Sequence, residues 1–270
     1  MPVSPDLRRP ARLAPFALGT LLLSACLGIS ETQDNNRYGS VTITASGGND
    51  GAPVAASVAA AFFTGGTIEL PTSVTTTDVC SSFSYSPETF SPGNLDAGST
   101  LQLSVAGQPY SLSESGTVSG VYTLDGAGSF PYSAGDSVRV TVPGAVGGFP
   151  AGQIALRLAE PISLGPITAP QANEDLPISW SANGDANSGV IISLRYTSSL
   201  SSTLPDAQVL CVVRDNGAYT ISTGFLGLYF SSNPASRQLN VLRWRTNSAR
   251  IDDRTNLYIV STVDTTVVLQ

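Results

Sequence analysis

Apolar and polar residues alternate with a period of two in short segments along most of this chain, the side-chain period of strands with one buried face. Val41 and Ile43 alternate with Thr42 and Thr44, and Leu101, Leu103 and Val105 share one side of the segment 100–105. Val138, Val140 and Val142 are set against Arg139, and Ile154, Leu156 and Leu158 against Arg157. In 190–196 the residues expected inward are Val190, Ile192, Leu194 and Tyr196; in 240–246 they are Leu242 and Trp244, with Arg243 and Arg245 outward. Segments 55–63, 67–70, 78–85, 121–124, 177–181, 208–213, 218–222, 257–263 and 266–269 complete the expected strands, with one helical turn at 226–230. Gly, Pro and Asx clusters such as Gly47-Gly48-Asn49-Asp50-Gly51 punctuate them, and no segment keeps a helical period over three turns. The expected fold class is all-β, an antiparallel sandwich or barrel.

Residues 161–170 carry three prolines, and proline-rich extended segments join sandwiches without entering sheet interiors. The expected organisation is a first β-sandwich at 39–160, a linker at 161–175 and a second sandwich at 176–270. Arg214-Asp215-Asn216-Gly217 predicts a hairpin that returns 208–213 as 218–222, because Asn-Gly supplies the positive φ angles of a tight turn. The order Ile178-Ser179-Trp180, then 190–196, then Leu210-Cys211-Val212-Val213 and the turn into Tyr219-Thr220-Ile221 resembles an immunoglobulin-like or fibronectin-like domain. It also looks like the C-terminal part of bacterial surface lipoproteins built from two such domains. That resemblance implies two antiparallel β-sandwich domains in tandem after a cleaved lipoprotein signal peptide, and implies no activity. With one cysteine in 176–270, the inter-sheet disulfide of a true immunoglobulin domain cannot form there.

The first residues carry the sharpest signal. Arg8, Arg9 and Arg12 form a basic region, and residues 13–25 form an apolar segment of signal-peptide length, too short to span a bilayer. Leu23-Ser24-Ala25-Cys26 resembles a bacterial lipobox: an aliphatic residue, two small residues, then cysteine. The resemblance implies removal of residues 1–25, a diacylglycerol on the Cys26 thiol, an acyl chain such as palmitate on the new amino terminus, and a lipidated tether at 26–38. Each buried methylene contributes roughly 0.8 kcal/mol, so one chain holds marginally and two or three hold firmly. Leu27, where an Asp would mark inner-membrane retention, directs the expectation to the outer membrane or surface, facing periplasm or exterior. An ordinary cleaved signal with an incidental cysteine is the competing reading.

Beyond that segment the chain has ten arginines against nineteen acidic residues, about −9, with no lysine and no histidine anywhere. Nucleic acid needs a basic stripe and is excluded as a partner. Without histidine, Ser-His-Asp and Cys-His catalysis is impossible, and without lysine so is Schiff-base chemistry. Paired carboxylates stay formally open, with Asp252-Asp253 and Glu174-Asp175 as the adjacent pairs. If Cys26 carries lipid, Cys80 and Cys211 are left as a pair. They form either one disulfide tying the two proposed domains together or two separate buried thiols. Asn183, Asp185 and Asn187 space oxygen side chains as the start of a calcium loop would, but the first Asp and a later bidentate Glu are missing, so an Asx-rich turn is favoured. Trp180 and Trp244 are expected in the core, with Tyr229 and Tyr258 freer.

The function expected is a lipid-anchored, non-enzymatic structural or protein-interaction module of the cell envelope, with no cofactor and an envelope protein as partner. A carbohydrate- or polymer-binding module is the alternative, and a carboxylate-based glycan hydrolase comes third.

Overall fold

The computed structural model describes residues 36–46, 55–65, 78–84, 93–126, 128–169, 173–183, 185, 187–197, 207–227 and 236–268. Cys26, the segments expected at 1–25, 47–51 and 67–70, the tether up to residue 35 and most of 226–230 lie outside them. The strands are β1 (Arg37–Ser46), β2 (Ala55–Thr64), β3 (Val79–Ser84), β4 (Gly93–Asn94), β5 (Thr100–Val105), β6 (Gln108–Glu114), β7 (Val121–Leu124) and β8 (Phe130–Pro131). They continue as β9 (Ser137–Val142), β10 (Gly152–Arg157), β11 (Leu176–Ser179), β12 (Ser188–Thr197), β13 (Ala207–Arg214), β14 (Ala218–Ile221), β15 (Ser236–Asp252) and β16 (Thr255–Val268).

One large sheet runs in the order β10-β9-β5-β6-β7-β2-β1-β16-β15-β12-β13-β3, with β4 and β8 also paired to β2. Local chemistry explains several of its joints. β5 turns into β6 through Ala106 and Gly107 at φ 48° and 84°, so both central residues of the two-residue loop are left-handed, as a primed hairpin turn requires. Asp252 pairs with Thr255 across the turn that joins β15 to β16. Most pairings are antiparallel, but β1 runs parallel to β16, Arg37 opposite Thr255 through Ser46 opposite Asp264.

Two hydrophobic cores lie along this sheet. In the first, Val41, Ile43, Leu101, Leu103, Val138 and Val140 are joined by Leu257 and Ile259 of the last strand. The sheet curls around it until β10 lies beside β15 and β16, where Asn247 Nδ2 donates to Ala155 O at 2.7 Å and Ala159 N to Ser261 Oγ at 3.0 Å. The second core is sandwiched: Val190, Ile192, Val209 and Val241 of the large sheet face Leu176, Ile178 and Ile221 of a small sheet made by β11 and β14. A third line of chain extends the small sheet, with Ser181 N donating to Ser163 O and Gly165 N to Ser179 O.

The structure corrects three local expectations. The Asn216-Gly217 turn does not close a hairpin: β13 pairs with β12 and β3, while β14 crosses to the opposite sheet and pairs with β11. The edge of β13 that a hairpin would use is occupied by β3. Segments 257–263 and 266–269 are one continuous strand as far as Val268. In 240–246 Leu242 and Trp244 are buried as expected, but Arg243 and Arg245 do not face outward: they continue the row of Leu239 and Val241 and are themselves buried. Leu242 and Trp244 occupy the other face with Ile191. Segment 161–169 packs on the second core through Ile162, Leu164 and Ile167, so its prolines accompany a bound strip of chain.

Candidate functional site

Cys80 and Cys211 stand directly opposite each other on β3 and β13 and are disulfide-bonded, with Cα atoms 4.0 Å apart and a sequence separation of 131. Cys211 is fully buried, and the Tyr219 hydroxyl lies 3.1 Å from Cys80 Sγ. The bond fastens β3, which leaves the chain between strands of the first core, to the rim of the second. At the end of β3, Asp78 accepts from Arg214 N at 2.9 Å and takes the Arg214 guanidinium with both oxygens. Hydrogen bonds from Arg214 hold the Asp78 carboxyl below the usual range, against the opposing pull of partial burial.

Where the two cores meet, a buried charge network gathers residues far apart in sequence. Arg243 and Asp215 are 2% and 1% exposed at their side chains and pair at 2.6 Å from Nε to Oδ2. Asp215 also accepts from Trp180 Nε1 and Ser188 Oγ, both at 2.8 Å. Arg243 spends its other donors on Pro161 O at 2.5 Å, Glu160 O at 3.4 Å and Ser181 O. Burial alone would raise the Asp215 carboxyl; hydrogen bonds from Arg243, Ser188 and Trp180, with the Arg243 charge, outweigh it and leave the group below its ordinary value. The Arg214-Asp215-Asn216-Gly217 turn thus supplies the carboxylate that lets an arginine sit inside.

Next along β15, Arg245 bridges Glu160, at 2.8 Å, and Asp185. Its Nε and the Tyr132 hydroxyl are buried without a hydrogen-bond partner among the described residues. Burial first, and the Glu160 charge second, push the Tyr132 hydroxyl far up, so it stays protonated.

The candidate calcium residues belong to the rim of this network. Asn183 Oδ1 accepts from Asp185 N, Asp185 Oδ1 accepts from Asn187 N at 2.8 Å, and the other Asp185 oxygen is on Arg245. That is successive Asx turns closed by a guanidinium, which a cation would have to displace. Among the described residues no group of three or more His, Cys, Asp or Glu side chains could hold a metal ion.

The remaining candidates serve the fold. Asp252 accepts from Arg254 N and Asp253 pairs with Arg250, both within the β15–β16 turn, and Asp175 accepts from Thr223 N at 2.8 Å. Trp180 is in the second core. Trp244 lies over Gly189, where an added Cβ would meet the indole nitrogen at 2.6 Å. Tyr258 is buried with Tyr38 and Phe63 rather than free, and Tyr229 lies outside the described residues. Arg243 escaped sequence reasoning because its row and that of Trp244 are both buried, so alternation could not say which faces the partner-rich side. No protein-family model matches the chain, and a search of curated proteins finds no match.

Proposed function

We propose that the chain is a lipid-anchored protein of the cell envelope that acts as a structural or protein-interaction module and not as an enzyme. The observation that carries this reading is Leu23-Ser24-Ala25-Cys26 behind a basic region and a short apolar core, with Cys26 as the acylated residue and the outer membrane or surface as its location. Its architecture is read as two β-sandwich domains, the second immunoglobulin-like. The core between β12, β13, β15 and the β11–β14 sheet supports that reading, as does a turn that carries β13 of one sheet to β14 of the other. The non-catalytic part is supported by the state of the carboxylates: Asp215, Glu160 and Asp185 are each compensated by an arginine, which suits a structural network better than proton transfer.

Replacement of Cys26 by serine tests the anchor. Cys26→Ser is expected to move the protein out of the membrane fraction, or stall it before cleavage, with mass spectrometry of the wild type showing acylation at Cys26. Tight membrane retention of the mature mutant would overturn the reading.

A further inference from the structure

Among the described residues, the large sheet ends at β10 on one side and β3 on the other. β10 is sheltered by β15, where Ile251 fills the space that a side chain at Gly152 would need, and it carries Arg157. β3 is different. Its sequence, Val79-Cys80-Ser81-Ser82-Phe83-Ser84, has no charge and no proline, and its pairing with β13 runs without a bulge. Charged residues, prolines and bulges are the devices by which sheet edges ordinarily avoid pairing with other chains. Ser81 and Ser82 are exposed, and Val79 is 54% exposed. The nearest charge, Asp78, is neutralised by Arg214.

The register shows which backbone groups face outward. Opposed residues on antiparallel strands stand about 5.5 Å apart where they exchange hydrogen bonds and about 4.5 Å where they do not. Cys80 and Cys211, at 4.0 Å, are a pair of the second kind. Arg214 N, on the same parity of β13 as Val212 and Leu210, points to the β3 side and donates to Asp78, as this assignment requires. Residues 79, 81 and 83 are therefore bonded to β13, while the N–H and C=O of Cys80, Ser82 and Ser84 face away from it. These three positions are centred on Ser82. A half-turn about an axis through Ser82 sets Ser82 opposite Ser82 and Cys80 opposite Ser84, with a donor facing an acceptor at each position.

We propose that the β3 edge is the surface through which this protein binds a second copy of itself, the two β3 strands joining antiparallel about Ser82. The inference names a partner for the protein-interaction role proposed above and rests on that reading. The strand is its own complement in direction, hydrogen bonding and charge, and the Cys80–Cys211 bond holds it in place before pairing, which lowers the ordering cost.

The test is sedimentation of the purified full protein, in density-matched detergent where it is membrane-bound. Hydrogen exchange is followed across the same concentration range. A reversible monomer–dimer equilibrium is expected, with the amides of Cys80, Ser82 and Ser84 slowing as the dimer forms while those at 79, 81 and 83 change little. Ser82→Pro removes an outward N–H without touching the bonds to β13 and should weaken dimerisation by about tenfold or more. Ser82→Ala should leave it unchanged. A monomer throughout the range, or a dimer whose amides at 80, 82 and 84 gain no protection, overturns the proposal, and the exchange measurement decides this even where Ser82→Pro does not fold. A strictly monomeric protein that still depends on Cys26 for membrane retention would remove the pairing and leave the anchored reading standing.

Discussion

Arg243 joins the sheet it stands on to the loop at 160–161, the strip at 181 and the turn at 215. A buried ion pair is a poor source of net stability, since desolvation offsets most of the attraction, but breaking one strands a charge. Arg243→Ala or Asp215→Ala alone should therefore lower the unfolding free energy by roughly 3–5 kcal/mol in urea titrations. Replacing both together by Met and Leu should cost much less. The pH dependence follows from the depressed Asp215 carboxyl. Its contribution is complete above the ordinary unfolded value of about 4 and is lost as pH falls through the lower folded value, because the unfolded state then binds more protons. Urea midpoints should accordingly fall more steeply with acid in the wild type than in Asp215→Asn, measured from about pH 6 to about pH 2. Little of this network was legible from the sequence: Asp215 and Asp185 stood out as turn residues, while their partners Arg243 and Arg245 read as solvated. Side-chain parity places residues on faces without saying which face holds an acceptor.

The elements read best where one face is wet. β5 and β9 follow their alternation because Leu101 and Val138 are buried against a core that their neighbours do not share. β15 defeated the same logic, being buried on both faces over 241–245. The Asn-Gly turn was correctly a turn and wrongly a hairpin, since turn chemistry sets local geometry and the competition of β3 for the β13 edge is a long-range fact. The cysteine count left Cys80 and Cys211 as a possible pair, but that they fasten an edge strand is visible only in the register. Opening that bond should free β3 first. In the chain-entropy model a loop of this length contributes about 4–5 kcal/mol. Cys80→Ser with Cys211→Ser should lower the urea midpoint correspondingly and raise hydrogen exchange at 79, 81 and 83 ahead of the other strands. Uniform loss of protection across the sheet would contradict a local role.

At the scale of the molecule, two cores do not make two independent folding units. β16 gives Leu257 and Ile259 to the first core and packs Val267 on the second, and β3 leaves the first half of the chain to complete the second. Unfolding is expected as a single transition, with calorimetric and van't Hoff enthalpies equal and the Tm the same by tryptophan fluorescence, which reports Trp180 and Trp244, and by far-ultraviolet circular dichroism. Two resolved steps would show that the continuous strands do not transmit the coupling. The parallel pairing of β1 with β16 carries a further consequence, for timing. The strand synthesised early, at 37–46, lies between β2 and a neighbour made more than two hundred residues later. One flank of β1 therefore stays empty throughout elongation and the first core cannot close on itself, so the chain stays threadable until residues 255–268 arrive, after which it locks from both ends at once.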